Sequence, residues 1–136
     1  MRIMGIDYGD ARTGVAISDL LCTLVGSALV IPSRNAEKAI ADIVRLAEEN
    51  QVGEIVVGLP KNMDGSEGFR AERTRRFAEM LTQKTGIDCE FMDERLSTAE
   101  AYTYMNITGF SSKKRRGVID TLSAQVILQS YIDMGF

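Results

Sequence analysis

The chain has 136 residues, 45% hydrophobic and 26% charged, as expected for a soluble globular domain with a sizeable core. Its net charge of −3 argues mildly against indiscriminate nucleic-acid binding, although local clusters outweigh the total. Histidine is absent, which excludes Ser-His-Asp and Cys-His nucleophile systems and the usual zinc sites, leaving carboxylates, lysine, hydroxyls and hard metal ions for any chemistry.

Arg2-Ile3-Met4-Gly5-Ile6 predicts a short apolar strand that ends on Asp7. Gly9 marks a turn, Thr13 to Ser18 resumes strand character, and Thr23 to Ile31 is a third, glycine-interrupted strand. Short connections between the three favour an antiparallel meander. Asn35 can cap a helix from Ala36 to about Asn50, with Ala36, Ala39, Ile40, Ile43, Val44 and Ala47 on one face. Glu54 to Gly58 is a strand buried on both faces and stopped by Pro60, and Asn62 to Ser66 is a loop.

A second helix follows to about Thr85, with Phe69, Phe77, Met80 and Leu81 inward, and Gly86 closes it before a strand over Ile87 to Met92. Ser97-Thr98-Ala99-Glu100 fits a capping box, which leaves Asp93-Glu94-Arg95 between a strand end and a helix start. Gly109 to Gly117 reads as a basic loop, and a last helix from about Val118 to Asp133 presents Val118, Leu122, Val126 and Tyr131 to a core. The order βββαβαβα predicts one α/β domain over residues 1–136, a mixed sheet with helices on both faces.

No apolar run approaches a membrane span, and the N-terminus lacks a secretion-signal pattern, so the cytoplasm is the expected location. Cys22 and Cys89 share no metal-ligand spacing and read as buried thiols, and the seven Met residues as core filler.

Sites in α/β sheets lie beyond the carboxyl ends of the parallel strands. Asp7 ends the first strand, Glu94 follows the last, and Asp120 falls in the first turn of the expected final helix, where the dipole favours an anion. Each has an ordinary reading: a turn residue, a partner for Arg95, a helix-dipole complement. Together they favour a site, because such a cluster repels unless a cation holds it. Oxygen donors without His suit Mg²⁺ or Mn²⁺, and two such ions ~3.5–4 Å apart would activate water and stabilise the leaving oxygen of a phosphodiester.

Lys113, Lys114, Arg115 and Arg116 form the densest charge run, either a solvated face or a phosphate-holding segment. Arg12, Lys61 and Asn62, on loops at the expected active edge, and Arg95 beside Glu94 are candidates for phosphate or base contacts. Arg70, Arg73, Arg75 and Arg76 read as ordinary surface charge, and Tyr102 and Tyr104 as packing more than base stacking.

Three segments resemble one family. Gly5-Ile6-Asp7-Tyr8-Gly9, with Arg12, Gly14 and Ala16, is similar to the opening motif of the YqgF family of RuvX-like Holliday junction resolvases. Gly58-Leu59-Pro60-Lys61-Asn62-Met63-Asp64-Gly65-Ser66 resembles its central loop, and Asp93-Glu94-Arg95-Leu96-Ser97-Thr98 its third motif. The resemblance covers nearly the whole chain. It implies an RNase H-like five-stranded sheet, a Mg²⁺ or Mn²⁺ site held by Asp7, Glu94 and Asp120, and a nuclease acting on structured nucleic acid. Two roles are attached to the family: resolving four-way DNA junctions, and processing the 5′ end of pre-16S ribosomal RNA, which is the usual assignment. Ser123 departs from the alanine common there, and its small size is expected to preserve helix–sheet packing.

Two rivals remain. The strand–Asp-x-Gly–strand opening is shared with actin-like ATPases and sugar kinases, but those need two such domains around a cleft. A non-catalytic nucleic-acid-binding factor could use the same scaffold. A symmetric junction cutter would need a homodimer, whereas RNA processing is compatible with a monomer.

Overall fold

The computed structural model describes residues 1–96 and 112–135, with Leu96 and residues 112–120 described by their backbone alone. Five strands, β1 (Arg2–Asp7), β2 (Arg12–Ser18), β3 (Val25–Pro32), β4 (Val52–Leu59) and β5 (Cys89–Asp93), form one sheet in the order β3-β2-β1-β4-β5. The first three make the expected antiparallel meander, while β1, β4 and β5 run parallel. Ile6 lies beside Val57 and Leu59 beside Asp93, so the carboxyl ends of all three parallel strands open on one edge.

Among the described residues three helices cover the sheet: α1 (Ala36–Glu49), α2 (Phe69–Thr85) and α3 (Ser112–Asp133). Strand alternation decides which residue meets which layer. Met4, Ile6, Val15, Ile17, Ile55 and Val57 pack toward Ile40, Ile43, Phe77 and Leu81 of α1 and α2. Ile3, Ala16, Val56 and Met92 point the other way, against Ala124, Ile127, Leu128 and Tyr131 of α3. The central strands are therefore buried on both faces, as the uninterrupted apolar run of β4 requires.

The Asn35 side chain accepts the Lys38 amide at 3.1 Å, and Gly86 ends α2 at φ +75. The inner face of α2 differs from expectation: Phe69 is 69% exposed and Met80 38%, and Ala71, Thr74 and Ala78 join Phe77 and Leu81 inside. At about 100° per residue, Phe69 and Met80 fall together on one flank of the stripe, so the two larger side chains overhang while small ones pack. The methionines split likewise. Met4 and Met92 are core, whereas Met1, Met63, Met80 and Met134 are exposed. Cys22 and Cys89 are half-buried, not buried.

The final helix starts at Ser112, six residues before the expected Val118, so Lys113 to Arg116 lie in a helix and not in a loop. Lys and Arg are good helix formers, and one glycine at position 117 costs about 1 kcal/mol, which is too little to stop the helix there. Asp120 thus sits in the third turn, beyond reach of the N-terminal dipole. The capping box at 97–100 and Tyr102 and Tyr104 lie outside the described residues.

Close contact between α3 and the sheet depends on Gly5: a Cβ there would stand 2.7 Å from Leu128 Cβ and 3.1 Å from the Ala124 carbonyl. Ala124 and Leu128, not the half-buried Ser123, make this approach. Tyr131 donates to Glu54 Oε1 at 2.6 Å near the start of β4, and Ile127 packs on Gly58 near its end. The helix therefore runs antiparallel to β1 and β4, with its N-terminal half toward the edge where those strands end. Among the described residues no helix is long and apolar enough to cross a membrane.

Candidate active site

Asp7 is carried to the edge by the last residue of β1, and the turn after it is held firmly. Gly9 cannot carry a side chain, because a Cβ there would collide with the Arg12 carbonyl. Its N–H donates to the buried Thr13 hydroxyl at 3.3 Å, and its carbonyl accepts the Ser33 hydroxyl at 2.5 Å. Tyr8 stacks on Phe77, with ring centroids 4.2 Å apart. Turn and α2 are thereby fixed to each other beside Asp7.

Glu94 arrives from the other side, in the short 3-10 turn Glu94–Leu96 that follows β5. Gly58, its neighbour on β4, leaves the space it needs: a Cβ there would stand 3.0 Å from Glu94 Oε1 and overlap Ile127. Asp7 and Glu94 are half-buried and hydrogen-bonded to each other. Burial raises the Asp7 carboxyl above its usual range, with Glu94 and Arg70 opposing. Glu94 is pushed up to about 7, first by burial and then by the Asp7 charge. Two like charges so close cannot both ionise freely, so the pair gives up its protons less readily than two separate carboxyls would.

The next acid along the chain behaves differently. Asp93 accepts from the Arg95 Nε and Nη2 atoms, the shortest contact 2.6 Å, and is held below its usual range by that guanidinium. Arg95 Nη1 also donates to the Met63 carbonyl at 3.2 Å. The 60–66 loop closes on itself: Asp64 accepts the Ser66 amide and hydroxyl, and Asn62 donates to the Ser66 hydroxyl at 2.9 Å. Arg95 thus pairs with Asp93, not with Glu94, and ties β5 to the central loop.

Of the other candidates for phosphate or base contacts, Arg12 and Asn62 are exposed and Lys61 half-buried, all near the ends of the strands surrounding Asp7. Lys113 to Arg116 and Asp120 are described as backbone only. Asp120 stands one turn before Ala124, on the part of α3 that points to this edge. Among the described residues no group of three or more His, Cys, Asp or Glu gathers around one point. The sequence reading missed Arg70. It acts electrostatically on both Asp7 and Glu94 and lines a small cleft with Tyr8, Gly9, Asp10, Pro60, Arg73 and Thr74. No signal in the sequence separated it from its neighbouring arginines.

The family described as RuvX, Holliday junction resolvase, matches residues 1–134. A protein of Halothermothrix orenii named "Putative pre-16S rRNA nuclease" is 47% identical over 133 residues, covering 98% of this chain and 95% of that one. A Clostridioides difficile protein of the same name is 44% identical over 132 residues, covering 97% and 94%. Among solved structures, Thermus thermophilus RuvC in complex with a Holliday junction substrate superposes with a TM-score of 0.68 at 11% identity, covering 99% of this chain and 96% of RuvC. That likeness is one of fold, and it matches the RNase H-like sheet expected from the sequence. The chain belongs to the RuvX family of Holliday junction resolvases and pre-16S rRNA nuclease homologues.

Proposed function

We propose that the chain is a cytoplasmic, single-domain, metal-dependent nuclease that hydrolyses phosphodiester bonds at the 5′ end of pre-16S rRNA. The observation that carries this reading is the half-buried Asp7–Glu94 pair brought together at the open ends of the parallel strands. Two half-buried carboxyls held together cost stability unless a cation joins them, and their oxygen-only chemistry fits Mg²⁺ or Mn²⁺. Asp7 and Glu94 would hold the ion, with Asp120 as the third acid we assign to the site. When bound, such ions supply an activated water and neutralise charge on the leaving oxygen.

The rest of the work belongs to the chain. To hold the ion, Asp7 and Glu94 would both have to be ionised, so ion binding would be coupled to release of a proton from the pair. Gly9 lets the turn after Asp7 close on the Arg12 carbonyl, and Gly58 lets Glu94 and Ile127 pack against β4, so both glycines hold the pair in place. Arg12, Lys61, Asn62 and the Lys113–Arg116 segment are assigned to phosphate contacts around it. The Holliday-junction description of the family favours a second reading, in which the same site cuts four-way DNA.

The test is cleavage of end-labelled precursor rRNA and of a four-way DNA junction, each with Mg²⁺ or Mn²⁺, by wild type and Asp7→Asn. The proposal expects RNA cleavage by wild type alone. Junction cleavage alone would move the assignment to the second reading, and tight binding without cleavage of either would make the protein a binding factor.

A further inference from the structure

We propose that Arg70 is a substrate-contacting residue of this site, donating its guanidinium to a phosphate of the nucleic-acid strand beside Asp7 and Glu94. The inference rests on the nuclease reading for its substrate and on α2 for its geometry. Four arginines occupy the first two turns of α2, and three of them are engaged. Arg73 pairs with Asp10 at 2.7 Å, Arg75 with Glu67 at 2.6 Å, and Arg76 with Glu72 at 2.5 Å. Among the described residues, the Arg70 guanidinium has no carboxylate at ion-pairing distance, and its side chain is exposed.

Its position is nonetheless defined. Arg70 forms one wall of the cleft whose other lining residues include Tyr8, Gly9 and Pro60, the residues that follow the ends of β1 and β4. That wall is held by the Tyr8–Phe77 stack and by the Arg73–Asp10 pair across the cleft. Arg70 is near enough to draw both acids toward ionisation, yet it does not close on either. A residue serving only to neutralise the pair would sit in contact with it, as Arg95 does with Asp93. An exposed guanidinium in the cleft at the strand ends that carry Asp7 and Glu94, unpaired with any carboxylate among the described residues, is placed to take phosphate oxygens of a strand that lies across those ends. A planar guanidinium can hold two oxygens of that phosphate at once, which an ammonium cannot do.

The experiment compares wild type, Arg70→Ala, Arg70→Lys and Arg45→Ala, the last removing the same charge from the exposed surface of α1. Binding of a fluorescent single-stranded RNA and of a labelled four-way DNA junction is followed by anisotropy across KCl concentrations in Ca²⁺, and cleavage is measured in Mg²⁺ or Mn²⁺. Arg70→Ala is expected to weaken binding about tenfold and to flatten the slope of log K against log salt by roughly 0.7–0.9. Arg70→Lys is expected to restore the slope but not the full cleavage rate, and Arg45→Ala to match wild type in both. A slope unchanged in Arg70→Ala, or flattened equally in Arg45→Ala, overturns the proposal. If wild type binds without cutting, the nuclease reading fails while the slope difference still assigns Arg70 to a phosphate. A wild type that binds neither probe overturns both.

Discussion

Asp93 and Glu94 are consecutive acids at the same strand end, and the fold treats them in opposite ways. Asp93 is locked to Arg95 and held below the usual carboxylate range, and that guanidinium also fastens the 60–66 loop. Glu94 faces another acid, Asp7, and keeps a proton up to about pH 7. The first arrangement is internally satisfied and holds structure. The second is left short of positive charge, a condition a chain tolerates where something else completes it. The two acids are told apart here by their partners, not by their position in the sequence.

The largest test of that contrast is Asp7→Asn. It should lower metal-dependent cleavage by at least ~100-fold, within the range of lost general-base or charge-stabilising groups. The melting temperature should hold or rise, because a repulsion is removed. A large loss of folding instead would make Asp7 a structural acid like Asp93.

Gly58→Ala disturbs the same pair from below. Its Cβ would meet Glu94 Oε1 and Ile127, and overpacking of this kind costs about 1–3 kcal/mol. Chemical denaturation would read the cost, and cleavage should fall with it as Glu94 is displaced.

The pair also gives stability a pH signature. Glu94 has a folded-state pKa of about 7 against an ordinary value of 4.5, so the folded state binds the extra proton. Its contribution is therefore fully present below about 4.5 and is lost as pH rises through about 7. Melting of the metal-free protein should show this fall between those limits. Glu94→Gln should flatten it, and Asp7→Asn should move it to lower pH by removing the neighbouring charge.

Arg95→Ala probes the satisfied pair and should do least. Because that ion pair lies at the surface and is screened by solvent, its loss is expected to lower stability only slightly. The pH signature of Glu94 should survive, and proteolysis within the 60–66 loop should accelerate. A loss of the pH signature would show that the two acid systems are coupled.

Much of this architecture was legible in the residues. Strand alternation, the Asn35 cap and the Gly86 stop specified β1 to β4, α1 and the end of α2, since each is a local rule. Asp7 and Glu94 could be singled out because each stands at a strand end. Their mutual hydrogen bond could not, because it depends on parallel β1, β4 and β5 bringing positions 87 residues apart to one edge. The outward turn of Phe69 is equally a tertiary outcome, set by how α2 rotates over the sheet. Arg70 was hidden among look-alikes, and only the engagement of Arg73, Arg75 and Arg76 elsewhere distinguishes it. The early start of α3 was missed because two glycines and a run of like charge imitate a loop.

The most direct test of the central claim is thermal melting at pH 8 with increasing Mn²⁺ or Mg²⁺, for wild type, Asp7→Asn and Arg95→Ala. If Asp7 and Glu94 form a cation site, the melting temperature of wild type and Arg95→Ala rises with metal concentration, while that of Asp7→Asn responds far less. An equal rise in all three, or none in wild type, would contradict it.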